Sequence, residues 1–481
     1  MNAPLRRVAI SVLVLFTLLI LNVNYIQVVR SDELRTNQSN TRVLAAEYDR
    51  ERGAIIVDGT PVAESVPTDG RLKYLRNYPQ GELYAAVTGY HSLIYNNSQL
   101  EYADNDVLAG TDPRLTFRRL ADLFTGRDPA GGDVTLTLNP AVQEAAMAGL
   151  EGVTGAVVAL DPSTGAILGM ASTPSYDPTR LSSHDPADIR AYWADLNAQE
   201  RDPRLNRAIG DNYPPGSLFK VIVSAAALEN GLTPQSVVAA PDELPLPNSN
   251  RVIPNFNGSS CSPSGQQTLI EALTISCNTA FAQLGMDLGE DKIRAMSEAF
   301  GLDGEKYEIP LDVKPSVIGD IVDDAALAQT SIGQRDVRMT PLQAALVAAT
   351  VANGGAQMRP YLVDQIQAPD LTVIDSTRPE KWREPISADI ATQLTEMMTS
   401  VVANGSGRAA RIPGVQVAGK TGTAQAGQDV ADHTWFMGFA PADDPKIAVA
   451  VFVANGGGTG GERSAPIARQ VIEAYLDGLG G

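Results

Sequence analysis

The feature that most restricts this chain is an apolar run near its N-terminus, from Val8 to Val29 (VAISVLVLFTLLILNVNYIQVV). A helix of about 22 residues rising 1.5 Å per residue is long enough to cross a hydrocarbon core of roughly 30 Å. Arg6 and Arg7 precede the run, so the positive-inside rule keeps residues 1–7 cytoplasmic and places the chain after Arg30 outside. The run therefore predicts a single-pass anchor in the cell membrane at residues 8–29, with an extracytoplasmic protein behind it.

Two alternatives to an anchor are a cleaved signal peptide and a buried core helix. A signal peptide normally has a shorter apolar segment that ends at an A-x-A-like cleavage site. No such site follows Val29. The length of the run and its flanking charges favour the anchor over both alternatives.

Composition excludes several classes of function. The chain has 481 residues and a formal net charge of −19, which argues against a nucleic-acid partner because phosphates need a basic surface. The three histidines (His91, His184, His433) are scattered and the two cysteines (Cys261, Cys277) form no C-x-x-C pair, so a zinc site is not expected. We therefore predict no metal and no cofactor. The candidate catalytic groups are Ser, Lys, Asp and Glu side chains and backbone groups.

The extracytoplasmic location changes the interpretation of the cysteines, because an oxidising compartment permits a disulfide. Cys261 lies in a polar loop (NGSSCSPSG), where a buried free thiol is not expected. A bridge to Cys277 would close a loop of about 15 residues and stabilise the fold by about 3 kcal/mol. The alternative is two unconnected thiols, one of them buried.

Local patterns divide the remaining chain into two parts. Residues 31–150 are polar and irregular, with short strand candidates such as 54–57, and predict a small α+β module. In residues 151–481, the apolar runs 156–160 and 166–171 flank the turn DPSTG and predict a β-hairpin. Further strands are predicted at 415–423, 434–440 and 447–454, and helices after Pro214-Pro215-Gly216, near Ser387 and at 465–476. Strands at both ends with helices between them predict an α+β domain whose first and last segments share an antiparallel sheet.

A serine and a lysine stand at the start of the first of these helices. Ser217 and Lys220 are three residues apart and share a helix face. The preceding Pro-Pro-Gly break marks a helix N-terminus, where free N–H groups favour a developing anion. A lysine beside a serine in a partly dry site loses affinity for its proton and is able to act as a base. Taken alone, the pair equally fits two solvated side chains.

Two further motifs change this interpretation. Ser276-Cys277-Asn278 follows a short helical stretch, and Lys420-Thr421-Gly422-Thr423 lies on a predicted strand. The patterns S-x-x-K, S-x-N and K-T-G, in this order, mark penicillin-binding proteins and related serine β-lactamases. The joint occurrence behind a membrane anchor is far more specific than any one pattern.

The chain resembles class B penicillin-binding proteins, most closely the actinobacterial penicillin-binding protein A group, over nearly its whole length. The segments that carry the likeness are Arg52-Gly53, GAVVALDPSTGAIL (155–168), YPPGSLFK (213–220), SCNTAF (276–281), TSIGQ (330–334), MTPLQAALVAATVANGG (339–355) and KTGTA (420–424). The resemblance implies a penicillin-binding/serine β-lactamase-like transpeptidase fold, in which an antiparallel sheet flanked by helices is joined to an all-helical subdomain. It also implies a D,D-transpeptidase that cross-links peptidoglycan stem peptides during growth and division and is acylated by β-lactams.

The resemblance also implies a role for each motif residue. Ser217 would attack the D-Ala-D-Ala carbonyl, Lys220 would be the general base, and Ser276 would relay a proton to the leaving D-alanine. Asn278 would hold the lysine and the donor amide.

The third motif would bind the substrate. Lys420, Thr421 and Thr423 would hold its carboxylate, and Gly422 would let the strand lie close to the substrate backbone. The backbone N–H groups of Ser217 and Thr423 would form the oxyanion hole. One departure is Cys277 in place of the usual Asp, which links the proposed disulfide to the site, so reduction is expected to lower activity.

Rival functions with the same acylation chemistry are a D,D-carboxypeptidase and a serine β-lactamase. A sensor or an inactive scaffold is a rival of another class, but a sensor would need more than the seven cytoplasmic residues predicted here. The module at 31–150 is short for a glycosyltransferase, which predicts a monofunctional enzyme. The resemblance then implies a SEDS-type glycan polymerase in the membrane as partner.

Overall fold

The computed structural model describes residues 2–30, 47–115, 130–307, 309–427 and 429–479. An N-terminal apolar helix spans Ala3–Val29 and, within these ranges, is the one helix long and apolar enough to cross a membrane. Its last turn, Tyr25–Val29, is π-helical. The helix fits the predicted single-pass anchor. Parts of the predicted module, 31–46 and 116–129, lie outside the described residues.

The strands and helices are numbered here in chain order. Within the described ranges the strands are β1 (Ile55–Val57), β2 (Thr60–Pro67), β3 (Tyr74–Asn77), β4 (His91–Ser92), β5 (Asn96–Asn97), β6 (Asp133–Leu136), β7 (Gly155–Leu160), β8 (Ile167–Thr173), β9 (Val237–Ala239), β10 (Glu243–Pro245), β11 (Val252–Pro254), β12 (Gln266–Thr268), β13 (Gln357–Met358), β14 (Val363–Gln367), β15 (Val373–Ser376), β16 (Lys381–Arg383), β17 (Ala418–Ala424), β18 (His433–Ala440) and β19 (Ile447–Val453). The α-helices of the same ranges are α1 (Asn2–Asn24), α2 (Gly81–Thr88), α3 (Gln99–Ala103), α4 (Asn105–Leu108), α5 (Pro140–Gly149), α6 (Pro186–Asn197), α7 (Lys220–Glu229), α8 (Leu269–Thr274), α9 (Asn278–Leu288), α10 (Glu290–Ala299), α11 (Asp324–Thr330), α12 (Pro341–Ala352), α13 (Ala388–Asn404) and α14 (Gly460–Leu479).

The larger part of the described chain is built on a five-stranded antiparallel sheet in the order β17-β18-β19-β7-β8. Helix α12 packs on one face of the sheet, and α5 and α14 pack on the other. Because both faces are covered, β7 and β19 are buried throughout and continuously apolar, and β18 is buried after its first residue, His433. The predicted union of first and last segments in one antiparallel sheet is confirmed, with Val157 opposite Val451.

A second sheet organises the N-terminal region in the order β15-β14-β6-β1-β2-β3. Strand β6 pairs parallel with β1 and antiparallel with β14, so Val134 lies opposite both Ile55 and Ile366. The hairpin β14–β15 belongs to the C-terminal half of the chain, yet it completes this sheet. The sequence analysis did not predict that contribution.

The region between the outer segments of the central sheet is mainly helical and carries two of the three motifs. Helix α7 packs against α9 and α10, and α9 packs against α11. Two short strand pairs, β10–β11 and β9–β12, interrupt the helices. This arrangement brings the N-terminal ends of α7 and α9 towards the edge strand β17.

Candidate active site

The predicted nucleophile Ser217 lies in a 3-10 turn, Gly216–Leu218, directly before α7. This turn packs against β17. A side chain at Gly422 of β17 would place its Cβ 2.6 Å from the carbonyl oxygen of Pro215, so glycine there lets the turn approach the strand. Ser217 is partly exposed, and its hydroxyl belongs to the turn that faces the K-T-G strand.

Lys220, the first residue of α7, is fully buried. Its Nζ donates to Asn278 Oδ1 at 2.7 Å and to the backbone oxygen of Ser276 at 2.8 Å, and lies 3.4 Å from Ser276 Oγ. Burial, and then the charge of Lys420, hold the pKa of Lys220 well below its usual range. A neutral amine has two N–H donors and one lone pair. With both donors engaged by oxygen acceptors, the lone pair is left for a hydroxyl proton.

Ser276 lies between the two lysines. Lys420 Nζ donates to Ser276 Oγ at 2.8 Å and to the backbone oxygen of Thr421 at 3.0 Å. Burial lowers the pKa of Lys420 to about 7. Ser276 has a backbone φ of +63°, an uncommon conformation for a non-glycine residue that costs about 1–3 kcal/mol. The structure therefore holds this hydroxyl at a point where a proton can pass between two amines.

The disulfide fixes the segment around Ser276 and Asn278. Cys261 and Cys277 are bonded, as the sequence analysis favoured over two unconnected thiols. Asn278 begins α9, and its Nδ2 donates to the carbonyl oxygen of Pro254 at 3.2 Å. The bridge joins the S-x-N motif to the loop that contains Cys261, and the hydrogen bond joins it to the end of β11, directly before that loop.

The predicted carboxylate-binding residues 420–423 all lie on β17. Thr421 is 6% exposed, and its Oγ1 lies 2.6 Å from Ser406 Oγ. Thr423 is half-buried, and its Oγ1 accepts from the N–H of Gly460 at 3.4 Å. Sequence reasoning missed Ser406, because it lies outside the three motifs and meets Thr421 only in the folded chain.

The structure brings all eight predicted catalytic and substrate-binding residues to one cleft edge between α7, α9 and β17. Within the described part of the chain, no group of three or more His, Cys, Asp or Glu side chains is able to hold a metal ion. The cleft contains a hydroxyl at a helix N-terminus, a desolvated amine, a second hydroxyl shared by two amines, and a strand that carries a lysine. This set of groups is suited to acyl transfer through a serine ester.

The fold and site define a serine acyltransferase of the penicillin-binding type. Residues 155–473 match the family described as penicillin binding protein transpeptidase domain. Residues 52–134 match the penicillin binding protein A dimerisation domain. The chain therefore belongs to the penicillin-binding protein transpeptidase family, which confirms the resemblance found in the sequence.

Relatives and solved structures agree with this assignment. The chain is 50% identical to the peptidoglycan D,D-transpeptidase PbpA of Mycolicibacterium smegmatis over 99% of both chains. It is 48% identical to the PbpA of Mycobacterium tuberculosis H37Rv over 99% of this chain and 100% of that one. The ceftriaxone acyl-enzyme of M. tuberculosis penicillin-binding protein A superposes with a TM-score of 0.88 at 47% identity, covering 90% of this chain and 100% of that one. The penicillin G acyl-enzyme of the same protein superposes with a TM-score of 0.86 at 48% identity, covering 89% of this chain and 100% of that one.

Proposed function

We propose that this chain is a peptidoglycan D,D-transpeptidase that forms its acyl-enzyme on Ser217. The observation that carries the proposal is the buried Lys220, whose Nζ is fixed by Asn278 and Ser276 one helix turn from Ser217. Burial, and then the charge of Lys420, lower the pKa of Lys220, which favours the neutral amine that a general base requires. Relatives at about 50% identity bear the name peptidoglycan D,D-transpeptidase.

In the acylation step, Ser217 Oγ attacks the carbonyl carbon of the penultimate D-alanine while its proton passes to Lys220 Nζ. The tetrahedral oxyanion is stabilised by the backbone N–H groups of Ser217 and Thr423; losing one such donor typically costs about a hundred- to a thousand-fold in rate. The C–N bond breaks as the proton moves from Lys220 through Ser276 Oγ to the leaving D-alanine nitrogen. In the second step an amine of a neighbouring stem peptide attacks the ester, and its proton returns Ser217 to a hydroxyl.

Substrate orientation is assigned to β17. The charge of Lys420 and the hydroxyls of Thr421 and Thr423 receive the terminal carboxylate of the donor peptide. The same groups receive the carboxylate of a β-lactam, which mimics that peptide end. This assignment gives the fully buried Lys420 a charged partner.

A fluorescent penicillin tests the nucleophile. The purified protein, Ser217→Ala and the remote exposed-site control Ser376→Ala are labelled and then chased with unlabelled drug. Lasting label on the wild type and on Ser376→Ala, with none on Ser217→Ala, supports the proposal. Label that disappears within seconds would instead support a serine β-lactamase, and no label at all would leave only a scaffold.

The acyl acceptor distinguishes a transpeptidase from a D,D-carboxypeptidase. A donor peptide ending in D-Ala-D-Ala is incubated with and without an amine acceptor, and products are separated by mass. Cross-linked product that increases with acceptor concentration supports the transpeptidase. Release of D-alanine with only the hydrolysed donor would support the carboxypeptidase.

The membrane arrangement is also part of the proposal. Residues 1–7 are assigned to the cytoplasm, 8–29 to the membrane, 31–150 to a non-catalytic module and 151–481 to the transpeptidase domain. A transpeptidase acts on glycan strands that another enzyme must polymerise, so the anchor and module are assigned to contact a SEDS-type polymerase. Protease treatment of intact spheroplasts tests the orientation, and photo-crosslinking from the anchor tests the partner.

A further inference from the structure

The segment TSIGQ (330–334) has no role in the mechanism above, yet it lies directly behind the nucleophile turn. It begins at the last residue of α11, and the carbonyl oxygen of Gly333 accepts a hydrogen bond from the N–H of Gly216 at 2.9 Å. Gly216 immediately precedes Ser217. The turn that carries Ser217 is thus packed between β17 on one side and residue 333 on the other.

Neither Gly333 nor Gly216 has room for a side chain where the two segments meet. Gly333 has φ +71°, and a Cβ there would lie 2.0 Å from the carbonyl oxygen of Gly216. Gly216 has φ +54°, and its Cβ would lie 2.3 Å from the carbonyl oxygen of Thr423. Both distances are far below van der Waals contact, and the atoms approached are backbone atoms that cannot rotate away. The backbone of Gly216 therefore lies in direct contact with the backbones of both Gly333 and Thr423.

We propose that Gly333 is a positioning residue that sets the geometry of the oxyanion hole. The inference rests on the proposed function, in which the hole consists of the N–H groups of Ser217 and Thr423. These two donors belong to separate elements, so their separation depends on how deeply the nucleophile turn sits against β17. Donors must lie within about 2.7–3.1 Å of the oxyanion. A side chain at residue 333 pushes Gly216 and displaces one donor from the other.

The test compares Gly333→Ala and Gly333→Asn with Gly152→Ala. Gly152 has φ +73° and nothing within 4 Å of its Cβ position, so it matches the backbone conformation of Gly333 without the close approach. Asn tolerates positive φ better than Ala but carries the same Cβ. Each purified protein is assayed for thermal unfolding, for initial β-lactam binding, for the acylation rate constant and for affinity towards a boronic acid, which forms a tetrahedral adduct.

Both Gly333 variants are expected to acylate at least about a hundredfold more slowly per folded molecule, with initial binding changed less than about threefold. Boronic acid affinity is expected to fall with the acylation rate. Gly152→Ala is expected to lose stability only. Normal acylation by folded Gly333→Ala, or rescue by Gly333→Asn, would overturn the inference. Failure of the wild type to acylate at all would instead reject the proposed function.

The wild-type protein provides a test that does not depend on a folded variant. The amide of Gly216 lies in a short turn, where exchange with deuterium is usually fast, but here it donates to Gly333. We expect it to exchange as slowly as the amides of β17. Exchange as fast as that of an exposed loop amide would overturn the inference.

Discussion

Lys420 Nζ donates to Ser276 Oγ at 2.8 Å, although the two residues are 144 positions apart. The same hydroxyl lies 3.4 Å from Lys220 Nζ. Two buried amines that share one hydroxyl cannot both keep a proton at low cost, because each charge lowers the proton affinity of the other. Burial lowers the pKa of Lys420, the proposed carboxylate ligand, to about 7. Burial, and then the charge of Lys420, hold the pKa of Lys220, the proposed base, well below its usual range.

Replacing Lys420 with arginine tests the assignment of Lys420 as the carboxylate ligand. The free enzyme loses the charge of Lys420 as pH rises through about 7, so the second-order acylation constant for an anionic β-lactam should fall there. Arginine stays charged, and Lys420→Arg should move the descending limb above about pH 9. The pH profile of acylation measures this, with Lys292→Arg as control. An unchanged inflection near pH 7 in Lys420→Arg would contradict the assignment.

Asn278→Asp tests the base. A carboxylate in place of the amide oxygen 2.7 Å from Lys220 Nζ favours the charged amine and raises its pKa by about 1–3 units. At pH 7 the acylation rate constant of the already bound β-lactam should fall at least tenfold, and it should recover as pH is raised towards 10. This rate constant is the one to compare, because in the bound complex Lys420 already has its carboxylate partner. Asn278→Ala removes the hydrogen bond without adding charge, so it should slow acylation without shifting the profile. Identical pH profiles for the two variants would rule out Lys220 as the base.

The sequence predicted what depends on local pattern. Apolar runs marked β7, β8, β18 and β19 of the central sheet because both faces of that sheet are covered. The three motifs marked the site because each lies within a few residues of chain. The role of Ser406 and the place of β14–β15 in the N-terminal sheet depend on pairing between distant segments. No local pattern encodes such pairing, so sequence reasoning missed both.

Cys261→Ser should destabilise the protein and slow its acylation. Losing a bridge between residues 16 apart lowers the free energy of unfolding by about 3 kcal/mol. It also frees the segment that holds Ser276 in its left-handed conformation. Chemical denaturation and penicillin labelling, each with and without reductant, measure both effects. Reductant should bring the wild type to the values of the variant and leave the variant unchanged; an equal response of both proteins would contradict this.

Ser406→Ala should weaken carboxylate binding. Its hydroxyl is 2.6 Å from that of Thr421, which is buried, and an unmade buried hydrogen bond costs about 1–3 kcal/mol. Initial binding of an anionic β-lactam should weaken about tenfold, while the acylation rate of the bound complex stays nearly constant. Ser406→Thr should restore binding, and Ser400→Ala, six residues earlier in the chain, should not affect it. A loss confined to the acylation rate would refute this role.

A buried cluster in the N-terminal region contributes to the pH dependence of the protein's stability. Glu101 is fully buried, and both Arg52 and Arg76 contact it at 2.6 Å. Burial raises the pKa of Glu101, but the two guanidinium groups outweigh it and lower the pKa to about 2. His91 stacks on Tyr48, and its pKa is lowered to about 3 by burial and by Arg52.

His91 and Glu101 affect the free energy of unfolding in different pH ranges. The unfolded chain binds a proton on His91 near pH 6.5, but the folded chain does not until about pH 3. The contribution of His91 to the free energy of unfolding is therefore complete above about pH 6.5. It is lost as pH falls, by at most about 1.4 kcal/mol per pH unit. Glu101 starts to lose its contribution only below its ordinary value of 4.5. Between pH 6.5 and 4.5 the urea-unfolding free energy of the wild type should fall relative to that of His91→Gln. His184→Gln, the control, should follow the wild type; parallel curves for wild type and His91→Gln would contradict the prediction.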